Sequence, residues 1–319
     1  MVTGQFDPQR IAIIGTGTMG TGIGATFAAA GYPVSFHDVA PSQLEAGRQR
    51  VESVIAHLEN EDRLRVENAD QATSALSYST SLDEAVDGAE LVVEAVSEDI
   101  EIKRSVFEDL DAHTDPETVL ATNTSGLSIT EIARATESSP VVVGTHWFNP
   151  PHIVPLVEVI KGDDTDDDLA TSVAAFLERV GKTSVIVEKD IPGYIGNRIQ
   201  MAMCYEAFSL LERGVASAEA IDTAVKAGFG FRLPAMGIFE KVDQSGLDVH
   251  HAVESYLMRE LDRGTEPNPV VSRLVEEGHY GMKSGTGIYD WSNRDPANVT
   301  AETDEQLFRL LGVYESDLE

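Results

Sequence analysis

The sequence is poor in cysteine, in cationic side chains and in long apolar runs, and each shortage excludes a class of protein. Its 319 residues include a single cysteine, Cys204, which rules out an internal disulfide and a CxxC metal or redox site. No stretch approaches the roughly 18 consecutive apolar residues of a membrane span, and no apolar segment precedes the first strand-like run. We therefore predict a soluble, cytoplasmic protein with no membrane partner.

Cationic residues are outnumbered more than two to one. The chain has 23 Lys and Arg against 54 Asp and Glu, a formal net charge of −31. Such a surface repels nucleic acid, so we predict no nucleic-acid partner. The acids are spread along the whole chain, and this distribution is typical of a halophile-like acidic surface whose self-repulsion is screened by a salt-rich cytosol.

The first part of the sequence alternates short β-branched runs with longer helical patterns. This alternation predicts an α/β fold, a Rossmann-type doubly wound sheet of parallel strands joined by helices. The early apolar runs are continuous rather than alternating, as expected where helices cover both faces of a sheet. The predicted strands are 11–14, 34–38, 91–95, 118–121, 141–144, 156–160 and 184–187, with a weaker candidate near Leu76.

Helical spacing dominates after Pro192 and Gly193. The first helix of this region is predicted over 195–213 and ends at Gly214, a residue suited to the left-handed conformation that terminates helices. We predict two domains, a nucleotide-binding domain over 1–188 and an all-helical C-terminal domain over 189–319.

The sharpest local motif is IAIIGTGTMGTGIG, in which Gly15, Gly17 and Gly20 follow an apolar strand and open a helix. The first glycine permits a tight turn, the second lets the backbone approach a pyrophosphate, and the third allows close packing of helix on strand. The next strand ends at Asp38, whose carboxylate can bind the hydroxyls of the adenosine ribose and would repel a 2′-phosphate. The cofactor predicted from this motif is NAD.

Three further stretches, LATNTSGLSITEIA, GTHWFNPPHIVPLVEVI and DIPGYIGNRIQMAMCYEA, follow in order. Together with the nucleotide motif, LVVEAVSED and the late GMKSGTGIYD, they resemble the L-3-hydroxyacyl-CoA dehydrogenase family over nearly the whole chain. The resemblance implies NAD-dependent oxidation of an L-3-hydroxyacyl-CoA to its 3-oxoacyl-CoA. It also implies a helical second domain that forms homodimers.

The resemblance implies that His146 is the base that removes the hydroxyl proton, a task to which an imidazole is matched at neutral pH. Glu158, in the next predicted strand, would orient the imidazole and stabilise its protonated form, so that the two act as a dyad. Ser125 and Asn197 would bind the reacting oxygen and thioester of the substrate. His146 is predicted to follow its strand, at the carboxyl edge of the sheet.

The resemblance also implies a set of residues around the cofactor. It comprises the backbone of Thr18 and Met19 together with Glu98, Lys103, Ser125 and Asn149. Two of them have equally plausible alternatives, because Lys103 can be a solvated helix residue and Glu98 can lie in the first turn of a helix. The remaining histidines lack metal-ligand spacing with acidic partners, so no metal is predicted.

Two departures from the family pattern leave the substrate open. The segment GFGFRLPAMGIF resembles branches that oxidise small free hydroxy acids such as carnitine or gulonate. Its Arg232 can pair with a substrate carboxylate or can equally be an ordinary surface arginine. The region after the second strand offers only Arg48 and a few other arginines, among several acids, for the phosphates of coenzyme A. A non-catalytic dinucleotide-binding regulator is a remote alternative, because it has no use for His146, Glu158 and Asn197 together.

Overall fold

The computed structural model describes residues 6–137 and 141–316. The chain divides into two compact units, Met1–Arg198 and Ile199–Glu319. The boundary predicted after Glu188 stays a prediction.

The first unit contains an eight-stranded sheet in the order β3-β2-β1-β4-β5-β6-β7-β8. Neighbouring strands are parallel except for β6 and β7, which pair antiparallel. The strands are β1 (Ile11–Ile14), β2 (Val34–His37), β3 (Leu76–Ser79), β4 (Leu91–Glu94), β5 (Val119–Thr122), β6 (Val142–Trp147), β7 (Leu156–Ile160) and β8 (Thr183–Val187). The predicted Rossmann-type sheet is confirmed.

Helices cover both faces of this sheet, which explains why its strands are apolar throughout. In β1, Ile11 and Ile13 belong to one hydrophobic core cluster, whereas Ala12 and Ile14 belong to a second. Side chains alternate between the faces of a strand, so each face has its own core. The helices of this unit are α1 (Thr18–Ala29), α2 (Pro41–Asn60), α3 (Ala69–Ser74), α4 (Leu82–Val86), α5 (Ile100–His113), α6 (Ile129–Ala133) and α7 (Asp167–Val180).

The strand that carries His146 is longer than its sequence pattern indicates. The prediction ended it at Gly144, but β6 continues to Trp147, so the expectation that His146 follows the strand is wrong. The additional residues belong to the strand because β7 runs back along it and pairs Thr145, His146 and Trp147 in register. His146 therefore lies on a rigid element near the carboxyl end of the strand.

The second unit is helical. Its helices continue from α8 (Gly196–Glu212), which begins before the boundary, through α9 (Ala218–Ala227), α10 (Phe229–Arg232), α11 (Ile238–Ser245), α12 (Leu247–Leu257), α13 (Pro269–Glu276) and α14 (Pro296–Ser316). Gly214 has φ +64°, as expected for the left-handed residue after a helix. Among the residues described, no helix is long and apolar enough to cross a membrane.

Candidate active site

The three glycines of the first turn meet different surroundings. Gly15 adopts φ +99°, and a Cβ added there would lie 2.7 Å from the carbonyl oxygen of Ala95. A Cβ at Gly20 would lie 2.0 Å from the carbonyl oxygen of Gly15, so helix α1 can approach the turn only without a side chain there. A Cβ at Gly17 would meet no heavy atom within 4 Å. Open space at this position, at the amino terminus of α1, fits a pyrophosphate.

Asp38 lies at the edge of a cavity of about 400 Å³ that also borders Gly15 and Gly17. Its Oδ2 accepts hydrogen bonds from Thr16 N (3.0 Å) and Thr16 Oγ1 (2.9 Å), and its Oδ1 accepts one from Ala40 N (3.2 Å). Partial burial acts to raise the pKa of Asp38, but these hydrogen bonds outweigh it and the pKa lies below its usual value. The carboxylate is thus ionised at neutral pH, and Oδ1 keeps a lone pair for a ribose hydroxyl.

Exchanging Asp38 for Ser is expected to shift cofactor preference from NAD toward NADP by about tenfold or more, since the change removes the ribose acceptor and the charge that repels a 2′-phosphate. Dissociation constants for NADH and NADPH, titrated by fluorescence, measure the ratio. Glu45→Ala, at an exposed carboxylate of α2, is the matched control. An unchanged ratio in the Ser variant would show that Asp38 does not read the ribose.

His146 and Glu158 form a buried pair and face each other directly across β6 and β7. His146 Nδ1 lies 2.7 Å from Glu158 Oε2, and the two residues are 3% and 0% exposed. The other oxygen, Glu158 Oε1, accepts hydrogen bonds from the backbone N–H groups of Ile195 (3.0 Å) and Gly196 (2.8 Å). An ionised carboxylate can only accept a hydrogen bond, so a neutral imidazole facing it carries its hydrogen on Nδ1 and its lone pair on Nε2.

Aromatic rings hold the imidazole on its other sides. The centroid of the Phe148 ring lies 4.5 Å from that of His146, and the centroid of the Tyr194 ring lies 5.7 Å away. Burial raises the pKa of Tyr194, and its hydroxyl donates to the carbonyl of Leu127 at 2.7 Å. Gly196 leaves room for Phe148, because a Cβ there would lie 2.5 Å from the ring. The imidazole is therefore packed against two aromatic rings as well as the Glu158 carboxylate.

Ser125 follows β5, and the structure brings Glu98 and Asn197 to it. Glu98 Oε1 accepts hydrogen bonds from Ser125 N (2.8 Å) and from Thr124 Oγ1 (2.7 Å), and Asn197 Nδ2 donates to the carbonyl of Ser125 (2.9 Å). Glu98 is not in a first helical turn, since Asp99 is the N-cap of α5, and that alternative is wrong. Asn123 Oδ1 accepts from Trp147 N at 2.9 Å and links this loop to β6.

Lys103 is fully buried, so its alternative as a solvated helix residue is also wrong. Its Nζ lies 2.7 Å from Glu94 Oε1 and 3.5 Å from Glu98 Oε2. Glu94, which is 0% exposed at the end of β4, was not predicted from the sequence. The sequence feature that could have indicated Glu94 is a lone carboxylate at the end of an otherwise apolar strand. Because a buried charge needs a partner, such a carboxylate indicates a nearby cation or hydrogen-bond donor.

Comparison with known proteins identifies the family to which the chain belongs. The profile of the 3-hydroxyacyl-CoA dehydrogenase NAD binding domain matches residues 10–191, and that of the 3-hydroxyacyl-CoA dehydrogenase C-terminal domain matches residues 193–291. The chain belongs to the 3-hydroxyacyl-CoA dehydrogenase family. It is an NAD-dependent oxidoreductase, and the regulator without catalysis is not supported.

Individual proteins of known name resemble the chain over most of its length. A probable 3-hydroxybutyryl-CoA dehydrogenase of Bacillus subtilis is 37% identical, covering 90% of this chain and 98% of that protein. The crystal structure of a 5-formyl-3-hydroxy-2-methylpyridine 4-carboxylic acid 5-dehydrogenase, described as an NAD+-dependent dismutase, has a TM-score of 0.91 at 32% identity, covering 96% and 98%. That of (S)-3-hydroxybutyryl-CoA dehydrogenase from Ralstonia eutropha has a TM-score of 0.73 at 32% identity, covering 89% and 99%.

The remaining predicted residues divide into two groups. Thr18, Met19 and Asn149 lie near the glycine turn, and Thr18 and Asn149 border one small cavity. The two arginines predicted for the substrate are exposed or already paired. Arg48 forms a salt bridge with Glu52 one helical turn away, at 3.0 Å, and Arg232 is an exposed residue of α10 in the second unit.

Proposed function

We propose that this protein oxidises a substrate carbon that carries both a hydroxyl group and a hydrogen, with His146 as the base that accepts the hydroxyl proton on Nε2. The supporting observation is the buried hydrogen bond of 2.7 Å between His146 Nδ1 and Glu158 Oε2. It fixes the tautomer and turns the lone pair of Nε2 away from the carboxylate. Bound NAD would accept the hydride that leaves the hydroxyl-bearing carbon of the substrate.

Glu158 has two functions in this proposal. Its Oε2 stabilises the imidazolium that forms when the proton arrives, since the two charges are then in contact in a buried site. Its Oε1 is held by the backbone N–H groups of Ile195 and Gly196, which keep the carboxylate in place throughout. The carboxylate accepts hydrogen bonds in both states, so no rearrangement is needed as the proton moves.

The neighbouring polar residues are assigned to binding. Ser125 and Asn197 lie within one hydrogen-bonded group, and we assign them to the reacting oxygen of the substrate. Glu98 and Asn149, with the backbone at Thr18 and Met19, are assigned to the nicotinamide side of the cofactor, and Asp38 to its adenosine ribose. Lys103 is buried behind Glu98, so we assign it the role of holding that carboxylate.

The first candidate substrate is an L-3-hydroxyacyl-CoA, the class for which the family is described. A second candidate is a small free carboxylic acid that carries a hydroxyl or a hydrated aldehyde. A hydrated aldehyde has a hydroxyl and a hydrogen on one carbon, so the same base can produce an acid from it. This candidate is supported by the TM-score of 0.91 to the pyridine-carboxylate enzyme, against 0.73 to a 3-hydroxybutyryl-CoA dehydrogenase.

Three of the four arginines between β2 and β3 also support the second candidate. Arg48 pairs with Glu52, Arg50 Nη2 donates to the carbonyl of Thr16 at 2.6 Å, and Arg65 donates to the carbonyl of Arg179. Coenzyme A phosphates need several cations at once, and these three already have partners within the protein. The carboxylate of a small free acid needs only one cation.

Assays with several substrates distinguish the two candidate substrate classes. Oxidation of NADH should be followed with acetoacetyl-CoA, acetoacetate and dehydrocarnitine, and reduction of NAD with a pyridine carbaldehyde that carries a carboxylate. Preference for the thioester by tenfold or more in kcat/KM supports the first candidate, and the reverse order supports the second. The His146→Gln variant is the control for background reaction, and no turnover with any of the four would contradict both candidates.

We also propose that two copies associate through the helical unit. Several of its large apolar side chains are solvent-exposed in a single chain, with Phe231 81% and Phe239 85% exposed. Apolar surface on this scale is typical of a protein interface. Sedimentation velocity of the purified protein tests the association, and a monomer at micromolar concentration would contradict it.

A further inference from the structure

We infer that Glu94 is a positioning residue for cofactor binding, acting through Lys103 on Glu98. The inference rests on the proposed function, which assigns Glu98 and Ser125 to the nicotinamide side. Glu94 does not reach the cofactor site itself, because it is fully buried at the end of β4.

The Glu94 carboxylate is held by donors on both oxygens. Its Oε1 accepts from Lys103 Nζ (2.7 Å) and from the backbone N–H of Val96 (2.6 Å), and its Oε2 accepts from Thr122 Oγ1 (2.7 Å). Val96 lies two residues after β4, and Thr122 is the last residue of the adjacent strand β5. Glu94 thus ties together the two loops that carry Glu98 and Ser125.

Lys103 lies between two carboxylates, with its side chain 0% exposed. Its ammonium is close to Glu94 (2.7 Å) and farther from Glu98 (3.5 Å), while the other oxygen of Glu98 holds Ser125 N. A buried ammonium must keep an anionic partner. Without the charge of Glu94, the ammonium would draw closer to Glu98 and pull that carboxylate away from Ser125.

This geometry predicts what the isosteric change Glu94→Gln does. The amide fills the same space, and the hydroxyl of Thr122 can turn to accept from its NH₂ group, so the fold is preserved while the charge is lost. We expect the dissociation constant for NADH to rise by about tenfold and KM for NAD to rise by more than kcat falls. Thr118→Val, just before β5, removes one buried hydrogen bond to the carbonyl of Ala89 and touches none of these charged groups. It is the control and should change NADH binding by no more than about twofold.

A double-mutant cycle with Lys103→Met separates positioning from a general structural role. If Glu94 acts through Lys103, the double variant Glu94→Gln/Lys103→Met binds NADH no more weakly than Lys103→Met alone. Circular dichroism confirms that each variant is folded. Wild-type NADH binding in folded Glu94→Gln, or effects of the two changes that simply add, would overturn the inference. NADH binding is measured without substrate, so an enzyme that binds NADH yet oxidises none of the candidate substrates would contradict the proposed function alone.

Discussion

Replacing His146 with glutamine is expected to lower kcat by a factor of about 10² to 10⁴, the range usual for removing an acid–base group. Glutamine can still donate a hydrogen bond to Glu158, but its amide cannot accept the hydroxyl proton. NADH binding should stay within about threefold of the wild type, since the imidazole is assigned to the substrate alcohol and not to the cofactor. Single-turnover kinetics with saturating NAD isolate the chemical step.

The control for this change is His113→Gln, at an exposed histidine near the end of α5. It removes an imidazole of equal size from the same unit and should leave kcat unchanged. Thermal unfolding shows whether the buried substitution at residue 146 preserves the fold. A folded His146→Gln enzyme with a rate near that of the wild type would refute the assignment of the base.

The features that the sequence predicts well are those that depend on neighbouring residues in the chain. The turn between β1 and α1 is specified by glycines whose spacing reflects local backbone geometry, and β1 and β7 have the predicted bounds. Helix α8, predicted over 195–213, spans Gly196–Glu212. The sequence predicted the pairing of His146 with Glu158 only through resemblance, because two strands must meet before those side chains can.

The features that the sequence did not predict depend on contacts between distant elements. The extension of β6 past Gly144 requires the antiparallel partner β7, which local propensity does not reveal. The sequence leaves two roles open for Lys103, a residue near the cofactor and a solvated helix residue, until the fold places the end of β4 against it. Arg48 was offered for a substrate phosphate, and the ion pair that it forms with Glu52, one turn along the same helix, becomes visible only in the structure, so its role stays a prediction.

Gly20→Ala is expected to destabilise the first unit by about 3 kcal/mol or more and to abolish NAD binding. The added Cβ would lie 2.0 Å from the carbonyl oxygen of Gly15, and a backbone atom in a tight turn cannot move aside as a flexible side chain can. Helix α1 must therefore shift away from β1, which displaces the N–H groups that face the pyrophosphate.

Gly17→Ala is the matched change, because the same methyl group at this position meets no heavy atom of the protein. Its backbone, at φ −68° and ψ −175°, suits alanine, so the free energy of unfolding should fall by no more than about 1 kcal/mol. NADH binding should still weaken by tenfold or more, because the methyl group occupies space assigned to the pyrophosphate. Denaturant unfolding and NADH titration measure the two quantities separately. If Gly17→Ala bound NADH normally, the phosphates would have to lie elsewhere, and if Gly20→Ala were as stable as the wild type, the close contact between helix and turn would not be required.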